Sequence, residues 1–197
     1  MDNTTLIQKC ALRRRYLRFI DDPIVIETHG GFGEVWRRVY SGIDVGCVIE
    51  RDEDKAEALA KQRPTWRVVL GDCEKLIRHG LYADAQWSVL DIDPYGEPWQ
   101  VIDAFFSGSR NYARRMILVV NDGLRQKLRV GGGWLTGSMK PYANKYGNIV
   151  LFDRYLDICR DKVVDIAARV GYRIVEWTAY HCGTKGDMTH YAALLTL

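Results

Sequence analysis

Two hydrophobic rhythms alternate along the chain: short continuous apolar runs, and longer stretches in which apolar residues recur every three or four positions. Runs of the first kind predict strands and those of the second predict amphipathic helices. A helix over Thr5–Phe19 is stopped by Asp21-Asp22-Pro23, since proline biases the preceding residue away from helical angles. Ile24–Ile26 is then a short strand, followed by a glycine-rich turn and a helix through Trp36 and Val39. Val45–Ile49 is the second strand, and the helix after it takes Asp52 as its N-cap and ends before Pro64. Trp66–Leu70 and Trp87–Ile92 are the third and fourth strands, and Glu97-Pro98 starts a helix. Met116–Val120 is the fifth strand, with an amphipathic turn or two through Leu124 and Leu128; a rival parse makes the segment Arg129–Thr136 the fifth strand with its entry turn. Tyr142, Asn144, Lys145 and Tyr146 fall in a polar loop. From Phe152 through Tyr155, Cys159, Val163 and Ile166 to Val170 the spacing predicts one long helix closed by Gly171 as a left-handed cap. Ile174–Tyr180 and His190–Leu195 are the last strands, joined by a glycine-containing loop.

Strands alternating with helices imply a mostly parallel sheet covered on both faces, because parallel pairing needs crossover connections. The expected fold class is therefore α/β and doubly wound. The last two strands have no helix between them and form an antiparallel pair, which a plain dinucleotide-binding domain does not need. No linker or repeat divides the chain, so residues 1–197 are expected to form one domain with a helical extension over 1–22.

Composition narrows the class. The chain has 197 residues, 47% hydrophobic and 27% charged, enough to bury one compact core. Its apolar runs fall far short of the roughly 18 residues of a membrane span. The start Met1-Asp2-Asn3 lacks a basic stretch followed by an apolar one, so the cytoplasm is the expected compartment. The five cysteines are scattered without a C-x-x-C pair, which predicts reduced thiols, and His181-Cys182 with His190 matches no common zinc spacing, so no metal is expected. The net charge of +3 hides an asymmetry: between Ser107 and Asn148 eight basic residues face one acid, leaving −4 on the rest of the chain. Arg13-Arg14-Arg15 with Arg18 is a second, shorter basic cluster.

In a doubly wound sheet the ligand sits outside the carboxyl ends of the strands, where strand order reverses. Those ends carry acids in phase, with Glu27, Glu50, Asp72 and Asp93 recurring every 21 to 23 residues, about one strand plus one helix. All four are expected to point into one crevice. Between Glu27 and the first crossover helix lies Thr28-His29-Gly30-Gly31-Phe32-Gly33, where glycines let the backbone approach a ligand. An acid just before this turn suits a positively charged amino-acid end better than a pyrophosphate. Glu50 is placed to accept ribose hydroxyls, and Asp72 a hydrogen bond from an adenine amino group.

The segment Glu27–Gly33 resembles the first motif, acid-x-x-x-G-x-G, of the class I S-adenosylmethionine (SAM)-dependent methyltransferases, with His29 where that form usually has Phe. The resemblance implies a Rossmann-like seven-stranded, mostly parallel sheet ending in an antiparallel strand. It implies S-adenosyl-L-methionine as cofactor, held by Glu27, His29, Gly30, Gly31, Gly33, Glu50, Arg51, Asp72, Cys73 and Asp91. The segment Leu90-Asp91-Ile92-Asp93-Pro94-Tyr95-Gly96 is similar to the Asp-Pro-Pro-aromatic signature of amino-methyltransferases, and closer still to the tRNA guanosine N2-dimethyltransferase version. Tyr95 stands where the general signature has its second proline, and Gly96 where it has its aromatic residue. The chain is short for the extra C-terminal domain those tRNA enzymes carry.

An Asp side chain followed by a proline-fixed carbonyl supplies two acceptors for the hydrogens of an amine. Asp93, Pro94 and Tyr95 are therefore the candidate catalytic residues, and Trp99, Lys140, Tyr142 and Lys145 the candidate substrate contacts. The expected function is SAM-dependent methylation of an exocyclic base amine, in RNA rather than DNA. Two alternatives stay open: methylation of a small metabolite or protein side chain, and a non-catalytic nucleotide-binding module. No membrane partner is expected, and the oligomeric state is open.

Overall fold

The computed structural model describes residues 5–94, 96–129 and 137–197. Its elements run α1 (Leu6–Leu17), β1 (Val25–Thr28), a π-helical turn (Trp36–Tyr40), β2 (Gly46–Glu50), α2 (Glu53–Gln62), β3 (Arg67–Leu70), α3 (Cys73–Arg78) and β4 (Val89–Ile92). There follow α4 (Trp99–Ser107), β5 (Arg115–Asp122), α5 (Leu124–Arg129), α6 (Lys140–Asp153), α7 (Tyr155–Ala168), β6 (Arg173–Cys182) and β7 (Met188–Thr196). The sheet has seven strands in the order β3-β2-β1-β4-β5-β7-β6. β1 to β5 pair in parallel, and β7 runs antiparallel to both β5 and β6. The doubly wound sheet with its terminal antiparallel pair is thus the one the alternation of elements predicts.

Period-two alternation splits each central strand between two cores. Cys47, Ile49, Leu90, Ile92, Leu118 and Val120 face α4 and α7, packing on Ile102, Phe105, Phe106, Cys159 and Val163. Val25, Val48, Val89, Ile117 and Val119 face α1, the π-helical turn and α2, packing on Leu12, Tyr16, Tyr40 and Leu59. Strand order reverses between β1 and β4, which opens the crevice at their carboxyl ends.

Three expectations change. Asp72 caps a short helix, α3, that apolar spacing does not announce in six residues. The polar segment around Tyr142–Tyr146 is helical rather than a loop: it lies in α6, which breaks at Gly147 (φ 75°) and buries little besides Leu151. A mostly exposed helix carries no apolar stripe, so periodicity misses it. The long helix consequently starts at Tyr155 and not at Phe152. Arg115–Asp122 is the fifth strand, in line with the prediction at Met116–Val120, and residues 130–136 of the rival parse lie outside the described residues.

The α1 face buries charge. Arg13 donates to both oxygens of Asp91, at 2.7 Å and 2.5 Å, and Tyr40 Oη donates to one of them at 2.6 Å. Both charged side chains are 1% exposed. Removing one partner of such a pair strands the other, which costs about 3–5 kcal/mol, while removing both is far milder. We therefore expect Arg13→Met to lose about 3–5 kcal/mol in urea unfolding, and the double variant Arg13→Met/Asp91→Asn to recover more than half of that loss.

Candidate functional site at the carboxyl edge of β1, β2 and β4

The turn after β1 reverses direction on left-handed residues. His29, although not a glycine, has φ 64°, and Gly31 and Gly33 have φ 55° and 77°. The space a side chain at Gly31 would occupy is open, with nothing within 4 Å. Gly30 is there for packing, since a Cβ would lie 2.4 Å from Val48 Cγ2 and 2.8 Å from Leu59 Cδ1. Glu50, at the tip of β2, ties this turn to its own strand end: Oε2 accepts from Gly31 N at 2.8 Å, and Oε1 from Arg51 N at 2.9 Å and Asp52 N at 3.1 Å. Three of a carboxylate's four lone-pair sites are then filled, leaving one on Oε2.

Asp72 is exposed and accepts from Lys75 N at 2.9 Å, so one oxygen caps α3 and the other stays free. Beside it the Cys73 thiol lies 3.2 Å from His29 Nε2. Burial pushes this thiol up to about 12, so it is protonated, and burial also lowers the His29 pKa and keeps the ring neutral against the pull of Asp93 and Glu50. The pair is a packed wall of the crevice and not an activated thiolate.

Asp93 follows β4, partly exposed. Lys9 Nζ, from α1, donates to Oδ1 at 2.8 Å and to Oδ2 at 2.9 Å. Burial raises the Asp93 pKa, but Lys9 and Arg13 outweigh it and hold the carboxyl below its ordinary value. Pro94 is buried next to it, and Tyr95 lies outside the described residues.

The four in-phase acids thus form two tiers. Glu50, Asp72 and Asp93 lie at the edge, whereas Glu27 is buried beneath it in an ion pair with Arg63, whose guanidinium stands 5.1 Å and 5.2 Å from the ring centroids of Trp36 and Trp66. Asp91, assigned to the cofactor on sequence, is in the same lower tier, directly opposite Glu27 in the β1–β4 register and engaged by Arg13 and Tyr40. Both acids face the α1 core because strand parity sends them there.

Two further corrections concern the substrate contacts. Trp99 is wholly buried and stacks on Tyr191 at 6.0 Å, so its ring faces the core and not a ligand. Tyr142 and Lys145 line a groove of about 660 Å³ with Gln100, Asp103 and Lys162, none of them from the β1–β2–β4 edge, and Lys140 starts the same helix. The basic segment is partly consumed by the protein itself. Arg110 binds the carbonyls of Leu81 and Ile77, Arg125 those of Gly186 and Phe152, and Arg129 pairs with Asp187.

Sequence reading missed Lys9, Arg13 and Arg63 as partners of the acids. The available signal was the four-residue spacing of Lys9 and Arg13, which puts both on one face of α1. Among the described residues no group of three or more His, Cys, Asp or Glu side chains is arranged to hold a metal ion, and no helix is long and apolar enough to cross a membrane.

No family model and no curated protein matches this chain. Solved structures match in fold. Trm1 from Pyrococcus horikoshii, solved with S-adenosyl-L-methionine, superposes with a TM-score of 0.71 at 14% identity, covering 100% of this chain and 56% of that one. The chain therefore spans little more than half of that protein's length. The plantazolicin methyltransferase BamL, with a triazolic desmethylPZN analog and SAH, gives 0.59 at 9% identity over 98% of this chain and 84% of its own. TYW2 from M. jannaschii with AdoMet gives 0.55 at 12% identity over 96% and 76%. What these proteins share with this chain is architecture: it has the Rossmann-like class I methyltransferase fold.

At the end of β5, burial drives the Asp122 carboxyl up to about 7, against the donated hydrogen bonds of Leu124 N and Tyr155 Oη, both at 2.8 Å. A folded pKa above the unfolded one favours the protonated acid. Its stabilising effect is therefore complete below about pH 4 and lost as pH rises through about 7. Asp122→Asn is expected to match wild type near about pH 4 and exceed it by on the order of 1–4 kcal/mol near about pH 8, read from denaturant unfolding at the two pH values.

Proposed function

We propose that this protein is a SAM-dependent N-methyltransferase whose acceptor is an exocyclic amine of a nucleobase, in RNA rather than DNA. The observation that carries the reading is Asp93, whose two carboxylate oxygens both accept from one nitrogen, the Lys9 ammonium, at the mouth of the reversal crevice. An acceptor amine held in the same way has its hydrogens fixed and its lone pair directed away from the carboxylate.

The residues present fit the cofactor. The open face of Gly31 admits a ligand against the backbone, the remaining lone pair of Glu50 Oε2 suits a ribose hydroxyl, and the free oxygen of Asp72 suits an amino group. Bound there, SAM supplies a methyl on a sulfonium sulfur. Transfer to an amine would make a bond from carbon to nitrogen at the expense of the carbon–sulfur bond, with the thioether as leaving group and one proton to be lost from the acceptor nitrogen. Asp93 is a poor base, because its carboxyl is held below the ordinary value. It positions the amine and stabilises the positive charge that grows on nitrogen, and the proton leaves to water. The Asp-Ile-Asp-Pro-Tyr-Gly segment supports a base amine as acceptor.

A second reading, methylation of a small metabolite or a protein side chain, is favoured by the basic residues tied up internally at Arg110, Arg125 and Arg129. It also draws on the fold shared with a plantazolicin methyltransferase. Calorimetry with SAM and methyl transfer from radiolabelled SAM to RNA, DNA, protein and metabolite fractions separate these readings. We expect micromolar SAM binding, labelling of RNA that weakens with salt, loss of labelling in Asp93→Ala with SAM binding kept, and loss of SAM binding in Glu50→Ala. An absence of heat with SAM overturns the reading, and binding without transfer to any fraction selects a nucleotide-binding module.

A further inference from the structure

Beside Asp93, on the same side of the sheet, lie two buried polar side chains whose hydrogen-bonding capacity is left largely unused. Asn121 follows Val120, the register partner of Ile92, so it stands next to Asp93 as the two parallel strands end. His190 is the partner of Asn121 across the antiparallel β5–β7 pair. Both residues are 0% exposed, yet neither polar atom of Asn121 nor either ring nitrogen of His190 has a partner at full hydrogen-bond geometry, and the Asn121 carboxamide interacts only with Asp93, helping to lower its carboxyl pKa. Native interiors rarely leave such groups unpaired, because their lost hydration is not replaced. Around them the polar groups are already committed: Lys9 to Asp93, Arg13 to Asp91, and Tyr180 Oη to Gln8 O at 3.0 Å, with the Tyr180 ring edge-on to His190 at 5.5 Å. α1 roofs the group and reaches Asp93 through the Lys9 ammonium, which stands where an acceptor amine would sit.

Resting on the methyltransferase reading above, we infer that Asn121, with His190 behind it, is a specificity determinant that reads the ring edge beside the acceptor amine. Along this row the protein offers a carboxylate with two acceptors, a carboxamide with one acceptor and two donors, and an imidazole with one of each. Burial, with Arg13 and Lys9, lowers the His190 pKa to about 3, so the ring stays neutral and keeps both roles. An aliphatic amine satisfies Asp93 and leaves Asn121 as it is. A heteroaromatic amine, whose nitrogen is flanked by a ring nitrogen or a carbonyl, satisfies both at once. The row therefore selects a nucleobase edge over a lysine-like side chain.

The test compares wild type, Asn121→Ala and the near-isosteric, apolar Asn121→Leu with unmodified tRNA transcripts and a lysine-containing peptide as methyl acceptors. Removing a polar group that makes no full hydrogen bond leaves folding intact, so both variants are expected to keep the wild-type Tm and SAM affinity. For the transcript kcat/KM should fall by about tenfold or more in each variant, mainly through KM, with peptide labelling negligible throughout. His190→Gln, which keeps one donor and one acceptor, should lose less than His190→Leu. Unchanged kcat/KM in both Asn121 variants overturns the inference and leaves methyl transfer standing, as does wild type that labels only the peptide. Wild type that binds no SAM overturns the methyltransferase reading itself. Wild type that binds SAM and labels neither acceptor overturns this inference too.

Discussion

A carboxylate in the middle of a parallel sheet has no water to face, and Asp91 remains there because Arg13 reaches down from α1 with both ends of its guanidinium. That ion pair decides more than the charge of one residue. It fixes the rotation of α1 about its axis, and Lys9, one turn away, is thereby delivered onto Asp93 at the sheet edge. Tyr40 closes the remaining side of Asp91 and draws the π-helical turn against the same face. The N-terminal helix is thus a roof over the candidate acceptor position, attached through electrostatics at its centre and through Leu12 and Tyr16 in the apolar layer around it.

Below the roof, acids are sorted by depth. Glu27 and Asp91 lie opposite each other on adjacent strands, two like charges that would repel if left alone. Each has its own arginine, one contributed by α1 and the other by the residue that ends α2, so the sheet centre is neutral and the two flanking helices are pinned. Glu50, Asp72 and Asp93 stand one level higher and keep at least part of their hydrogen-bonding capacity. A structural tier thus carries a tier that is able to bind.

Charge distribution along the sequence does not become charge distribution in space. Arginines of the basic segment fold back onto backbone carbonyl oxygens of loops and short helices, as Arg110 does for Ile77 and Leu81. Lys145 of α6 and Lys162 of α7 instead flank the groove that holds Tyr142.

Alternation of apolar runs is a local property, and it suffices for the strands, their mostly parallel pairing and the antiparallel end, because crossover length and handedness leave few other arrangements. The same phase put Glu50, Asp72 and Asp93 at one edge, and the glycine turn was legible from composition alone. The chain by itself could not separate Asp91 from Asp93, since both are acids on the same strand end and only depth distinguishes them. Nor could it find Lys9, Arg13 and Arg63 as their partners, or Asn121 and His190 as neighbours with unused hydrogen-bonding capacity. Those relations join residues many tens of positions apart, and they exist only after packing has fixed which side chains lose water together.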